Sequence, residues 1–167
     1  MKNKKKKIAT LFFIFITMIL ILSYLGYSKK KKEQEKYNTI NLSEKYYNEG
    51  NFIQTSANEL EEKNNETYIL YTYNNFCSLP IPCESIFKTI MEKYKIDILS
   101  IPINEFKKTK FYTQVKYAPS IIIIKNEEII TYLDANKDED LEKYQDANAF
   151  DNWLKSYINL KKLKKDY

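Results

Sequence analysis

Residues 8–27, IATLFFIFITMILILSYLGY, form a run of twenty residues without a single charge, and this run divides the chain. At a helical rise of about 1.5 Å per residue it reaches about 30 Å, the thickness of a bilayer core. A helix of a globular core keeps a polar side toward water, and this run has none. Five lysines precede it (Lys2, Lys4, Lys5, Lys6, Lys7) and five follow (Lys29, Lys30, Lys31, Lys32, Lys36). The run reads as a transmembrane anchor over 8–27, behind a basic tail over 1–7. A cleaved signal peptide is the rival reading: Gly26 and Ser28 offer small residues before Lys29, but signal-peptide apolar stretches are usually about 7–15 residues, shorter than this one. No cysteine lies near the end of the run, so a lipid anchor is not expected. Lysines are tied across the span, and the α-amino group adds to the first side. A seven-residue tail is easily left inside. The expectation is a single-pass protein of the cell membrane, N-terminus inside, with residues 37–167 outside.

The charge distribution fits that division. Ten of the 27 lysines stand with two acids in residues 1–36; the other seventeen face twenty acids in 37–167. The basic character is therefore local to the membrane flanks. A nucleic-acid binder carries it on the folded domain, so no nucleic-acid partner is expected. The chain has no histidine and no arginine, which excludes a Ser-His-Asp triad, a Cys-His pair, a histidine metal site and an arginine clamp on phosphate. Its two glycines, Gly26 and Gly50, lie in no nucleotide-loop pattern. The acidic stretch KDEDLEKYQD lacks the spacing and glycine of a calcium loop. No metal and no cofactor are expected.

Residues 28–51, rich in Lys, Glu, Asn and Tyr, read as a polar stalk, with a short helix around 42–47 stopped by Gly50. Beyond it the hydrophobic period switches repeatedly. Residues 52–55 suit a short strand. Ser56-Ala57-Asn58-Glu59 is a capping box, predicting a helix to about Asn64. YILYTY at 68–73 is a buried strand. Ile86, Phe87, Ile90, Met91 and Tyr94 recur at helical spacing, predicting a helix over 83–94. Residues 96–101 form the next strand, and Asn104 is positioned to cap a helix running to Lys116. Four isoleucines at 121–124 predict a strand buried on both faces. Asn126-Glu127 is a turn, and 128–133 returns antiparallel. Residues 134–148 read as an acidic loop. A last helix carries Phe150, Trp153, Leu154, Tyr157 and Ile158 on one face. The domain is expected over 52–160, followed by a Lys-rich tail over 161–167.

The order β-α-β-α-β-α-β-β-α, with a closing hairpin, resembles the thioredoxin fold. The strand at 68–73 runs into Asn74-Asn75-Phe76-Cys77, where thioredoxins have a strand, an aromatic and their first active-site cysteine. Cys83 opens the next helix. Ala118-Pro119-Ser120 is similar to the family's hydrophobic-cis-Pro-Thr motif. With its anchor and stalk, the chain is similar to membrane-anchored thioredoxin-like proteins of low-GC Gram-positive bacteria, some of them bacteriocin-transport accessory proteins. The fold class implied is α/β, a central mixed sheet flanked by helices, preceded by one transmembrane helix. The resemblance implies Cys77 as nucleophile and Cys83 as resolver. It also implies that Phe76, Ala118 and Pro119 contact a protein substrate, with cis-Pro119 holding the partner's backbone as an added strand. Without the family, Pro119 reads as a trans proline starting a central strand.

The departures from the family shape the chemistry. The two cysteines enclose five residues, Ser-Leu-Pro-Ile-Pro, not two. On a continuous helix, residues six apart lie roughly 9 Å apart along the axis, beyond disulfide reach. Pro80 and Pro82 push Leu79 and Ile81 out of the helical region, so 78–81 is extended or turned, and Pro82 suits the first helical position. Cys83 then falls in the first turn, where the dipole favours a thiolate and Glu84 opposes one. By this electrostatic argument Cys83 is the more acidic thiol. The strand carboxylate that assists proton transfer in thioredoxins would align near Tyr71, and none is present. Slow or water-mediated proton transfer is expected. The functional reading is a reversible dithiol–disulfide pair acting on extracytoplasmic proteins. The alternatives are a stable loop disulfide, or a redox-inactive thioredoxin-like module that binds a partner in an export or bacteriocin system.

Overall fold

A computed structural model describes residues 17–18, 40–74 and 81–160. Thr17 and Met18 are helical; the rest of the anchor, both tails and residues 28–39 lie outside the described residues. Among the described residues no helix is long and apolar enough to cross a membrane.

Five strands form one sheet: β1 (Phe52–Gln54), β2 (Thr67–Tyr73), β3 (Ile98–Pro102), β4 (Ser120–Lys125) and β5 (Glu128–Asp134). Their order is β1-β3-β2-β4-β5. β3 is parallel to both β1 and β2, β4 runs antiparallel to β2, and β5 antiparallel to β4. This mixed sheet with its closing hairpin is the thioredoxin-like fold. β2 lies at its centre because it is apolar and β-branched or aromatic on both faces, and residues 68–71 are buried. Ile121, Ile122, Ile123 and Ile124 are buried beside it, Ile69 opposite Ile123 and Tyr71 opposite Ile121. The β4–β5 connection is a two-residue turn with φ of 49° at Asn126 and 66° at Glu127, the left-handed pair that matches strand twist.

The helices are α1 (Ala57–Glu61), α2 (Cys83–Tyr94), α3 (Ile103–Phe106), α4 (Asp138–Gln145) and α5 (Ala147–Lys155). The capping box of α1 is formed: Glu59 N donates to Ser56 Oγ at 3.3 Å and Ser56 N to Glu59 Oε2 at 2.9 Å. α2 buries Phe87, Ile90, Met91 and Tyr94, as its periodicity predicts. α2, α4 and α5 pack on one another. Phe87 ties them to the sheet, its ring centroid 4.7 Å from Phe150, 5.7 Å from Tyr144 and 5.3 Å from Tyr71. Burying such side chains contributes about 1.5–3 kcal/mol each.

Three expectations are corrected. The stalk reading is too long: Ile40, Leu42 and Tyr46 are buried in the core, Ile40 bridges Ile158, and Glu44–Tyr46 is a 3-10 turn. The apolar residues of 40–51 are sparse, but each finds a pocket. Asp97 fastens this segment by accepting from Gly50 N at 3.0 Å and Asn51 N at 2.7 Å. Gly50 is required there, with φ of 89° and a Cβ position only 2.8 Å from Met91 O. Second, no single helix spans 104–116. α3 ends at Phe106, Lys110–Thr113 is a separate 3-10 turn, and Asn104 lies inside α3 rather than capping it. Phe106 and Phe111 are five apart, which on one helix would put them roughly 140° apart; a break lets both be buried. Third, the acidic loop contains α4. Asp138, Glu139 and Asp140 complement its dipole, and Tyr144 anchors it.

Candidate functional site

Cys83 is the first residue of α2. Pro82 is its N-cap, with φ −58° and ψ 117°, one position earlier than the expected first helical place. The cap is extended because Pro fixes φ and has no N–H to lose at a helix start. Cys83 is only 1% exposed, directed at the sheet. Its Sγ lies 3.4 Å from the hydroxyl of Tyr71 on β2. The same hydroxyl donates to Oε1 of the exposed Glu84 at 3.5 Å.

The Ala118–Pro119 peptide is cis, as the resemblance implies. It leads directly into β4, whose Ser120 pairs with Thr72, so Pro119 stands beside the end of β2 where the cysteine-bearing segment departs. Asn74 Nδ2 donates to Ala118 O at 3.2 Å and joins the two ends. From α4, the Tyr144 hydroxyl donates to Leu133 O at 2.7 Å and lies 3.3 Å from Pro119 O. Burial holds this hydroxyl well above the ordinary tyrosine range, with the nearby Cys83, Asp134 and Asp140 adding to it. It therefore remains a donor at any working pH. Gln145 holds the other side: its Oε1 accepts from Ile81 N at 3.1 Å and its Nε2 donates to Ile81 O at 3.0 Å.

The structure thus brings Cys83, Ala118 and Pro119 to one end of the sheet. Phe76 and Cys77 lie outside the described residues, as do residues 78–80 of the non-helical stretch expected over 78–81; Ile81 is described and is not helical. Among the described residues no group of three or more Cys, Asp or Glu is arranged to hold a metal. Ile81 and Tyr117, two of the four exposed large hydrophobic side chains among the described residues, flank the site at 42% and 56% exposure. Sequence reasoning left Tyr71, Asn74, Tyr144 and Gln145 without a role. Tyr71 carried a signal, its position on the strand that feeds the cysteines. Tyr144 and Gln145 fell in a stretch read as loop, where only the spacing of Asp140 and Tyr144 hinted at a buried helix face.

Chemically, a sulfur as buried as Cys83 does not meet an external disulfide directly.

No family model matches the chain, and no curated protein matches it in sequence. Solved structures similar to it include a mutant thioredoxin from Halobacterium salinarum NRC-1, 16% identical with a TM-score of 0.48, covering 66% of this chain and 93% of that one. A thioredoxin from Nicotiana alata is 17% identical with a TM-score of 0.42, covering 57% and 90%. Thioredoxin f from spinach chloroplast is 18% identical with a TM-score of 0.42, covering 60% and 88%.

Proposed function

We propose that this chain is a membrane-tethered thiol–disulfide oxidoreductase of thioredoxin type, acting on extracytoplasmic proteins through Cys77 and Cys83. The observation that carries the reading is a buried cysteine opening α2, in contact with a strand tyrosine, at the end of the sheet where a cis-proline loop also stands. The Cys77 thiolate attacks a partner disulfide, forming a mixed disulfide and releasing one partner thiolate. Cys83 then attacks the Cys77 sulfur, closing the internal disulfide and releasing the second partner thiolate, so two electrons pass to the partner. Access assigns these roles more strongly than acidity does: the electrostatic argument favours Cys83 as the attacking thiol, but its burial makes it the resolver. Exposed Ile81 and Tyr117 suit an apolar polypeptide segment, and the cis-proline loop suits its backbone. The anchor over 8–27 would keep this chemistry at the membrane surface, with the domain outside.

The test is turnover of a model protein disulfide by the full-length chain in mild detergent. Cys77→Ser is expected to abolish turnover, and Cys83→Ser to accumulate a mixed disulfide with the substrate. Absence of both turnover and mixed disulfide would favour a redox-inactive binding module for an export or bacteriocin system.

A further inference from the structure

Cys83 Sγ, the Tyr71 hydroxyl and Glu84 Oε1 form a line of three groups at 3.4 and 3.5 Å, leading from a buried sulfur to an exposed carboxylate. Such a sulfur has little direct exchange with solvent, yet a resolving cysteine must lose a proton before it attacks. We propose that Tyr71 and Glu84 relay that proton, with Tyr71 the catalytic residue in contact with the reacting sulfur and Glu84 acting through it. This rests on the redox reading above.

Cys83 S–H gives its proton to the Tyr71 oxygen while the Tyr71 O–H proton passes to the Glu84 carboxylate, so tyrosine begins and ends neutral. The Cys83 thiolate attacks Cys77 Sγ of the mixed disulfide. The Cys77–partner S–S bond breaks, the Cys77–Cys83 bond forms, and the partner leaves as a thiolate that takes a proton from solvent; Glu84 returns its own to solvent. The position of Tyr71 is set by packing, its ring against Phe87 at 5.3 Å, Phe52 at 5.6 Å and Tyr73 at 5.7 Å, which holds the hydroxyl beside the sulfur. Among the described residues, the titratable groups near this line include Tyr144 from α4, engaged with Leu133 O and Pro119 O, and Tyr73 on β2, whose hydroxyl donates to Gln54 Oε1 at 3.3 Å. Asp134 and Asp140 act on Tyr144. The exposed Glu84 carboxylate, bonded to Tyr71, is the outlet to water.

The experiment is a pH–rate profile for resolution of a preformed Cys77–substrate mixed disulfide in the full-length chain, for wild type, Tyr71→Phe and Glu84→Gln. At pH 7 both variants are expected to resolve at least about tenfold more slowly than wild type. The difference should narrow as pH rises and hydroxide takes over removal of the thiol proton. Thermal unfolding of each variant reports on packing, and Glu84→Gln at an exposed position leaves the fold intact if Tyr71→Phe does not. Profiles for both variants superimposing on wild type would overturn the relay while leaving the redox function standing. A pH-independent loss would also overturn it, marking a structural role. A wild-type mixed disulfide that never resolves would overturn the redox reading and the relay with it.

Discussion

Asp151 on α5 is almost wholly buried, and one of its oxygens accepts from Lys93 Nζ at 2.6 Å, Lys155 Nζ at 2.8 Å and the Tyr94 hydroxyl at 3.3 Å. Burial by itself would raise its pKa, but the bonds from Lys155, Lys93 and Tyr94 outweigh it and hold the carboxyl below the ordinary range. A depressed folded-state pKa gives stability that is present above the unfolded value, about 3.9, and is lost as pH falls through the lower folded value. Asp151→Asn is expected to cost about 1–2 kcal/mol at pH 7, the half-exposed lysines limiting the effect. Urea unfolding at pH 7 and near pH 3 should show the gap between wild type and variant narrowing at the lower pH; an unchanged gap would contradict this account. At the same scale, the site was only partly legible. The ordered motifs along the chain mark Cys83, Ala118 and Pro119 as candidates, and the structure places these three at one end of the sheet. The Tyr71 contact was not legible, because a hydrogen bond from strand to helix depends on side-chain direction across the sheet, which local spacing does not encode. The sequence reading saw the missing strand carboxylate and expected slow or water-mediated proton transfer; the hydroxyl at that position, backed by Glu84, offers a route.

Among the elements, the β4–β5 turn carries a removable strain. Glu127 holds φ of 66°, a conformation that disfavours a Cβ, and its ion pair with Lys110 at 3.1 Å is half exposed and worth little. Glu127→Gly completes the Asn-Gly pair preferred in such hairpins and is expected to stabilise by about 0.5–1 kcal/mol, read as a rise in the thermal midpoint. A fall in the midpoint would show that the Lys110 pair outweighs the backbone. The elements read correctly were those whose own period settles the matter: α2 by its apolar face, β4 by four isoleucines, the turn by Asn126. α3 was overextended because Phe106 and Phe111 both look core-facing while no one helix serves both. α4 was missed because its surface is nearly all charged, and the burial of Tyr144 that stabilises it comes from α2 and the sheet, distant in sequence.

At the scale of the molecule, the fold begins earlier than its first strand. Ile40, Leu42 and Tyr46 fill the core, and Ser43 N and Oγ bond Thr67 O and Thr67 N at 2.9 Å each. A fragment of residues 37–167 should unfold cooperatively, whereas one of 52–167 should be less stable by several kcal/mol or fail to fold, since each lost apolar side chain costs about 2–5 kcal/mol. Equal midpoints for the two fragments would refute a structural role for 40–51. Residues 40–51 therefore belong to the folded domain and not to the stalk expected over 28–51.

The central claim is that Cys77 and Cys83 act as one redox couple, and a redox titration of the full-length chain tests it most directly. The two cysteines would be trapped by alkylation across a range of thiol–disulfide buffers and counted by mass. The account predicts that both become protected together in a single two-electron transition, following a slope of about 30 mV per tenfold change in the equilibrium constant, and that Cys77→Ser or Cys83→Ser abolishes it. Two cysteines that remain independently alkylated, or jointly protected, at every potential between strongly reducing and strongly oxidising buffers would contradict it.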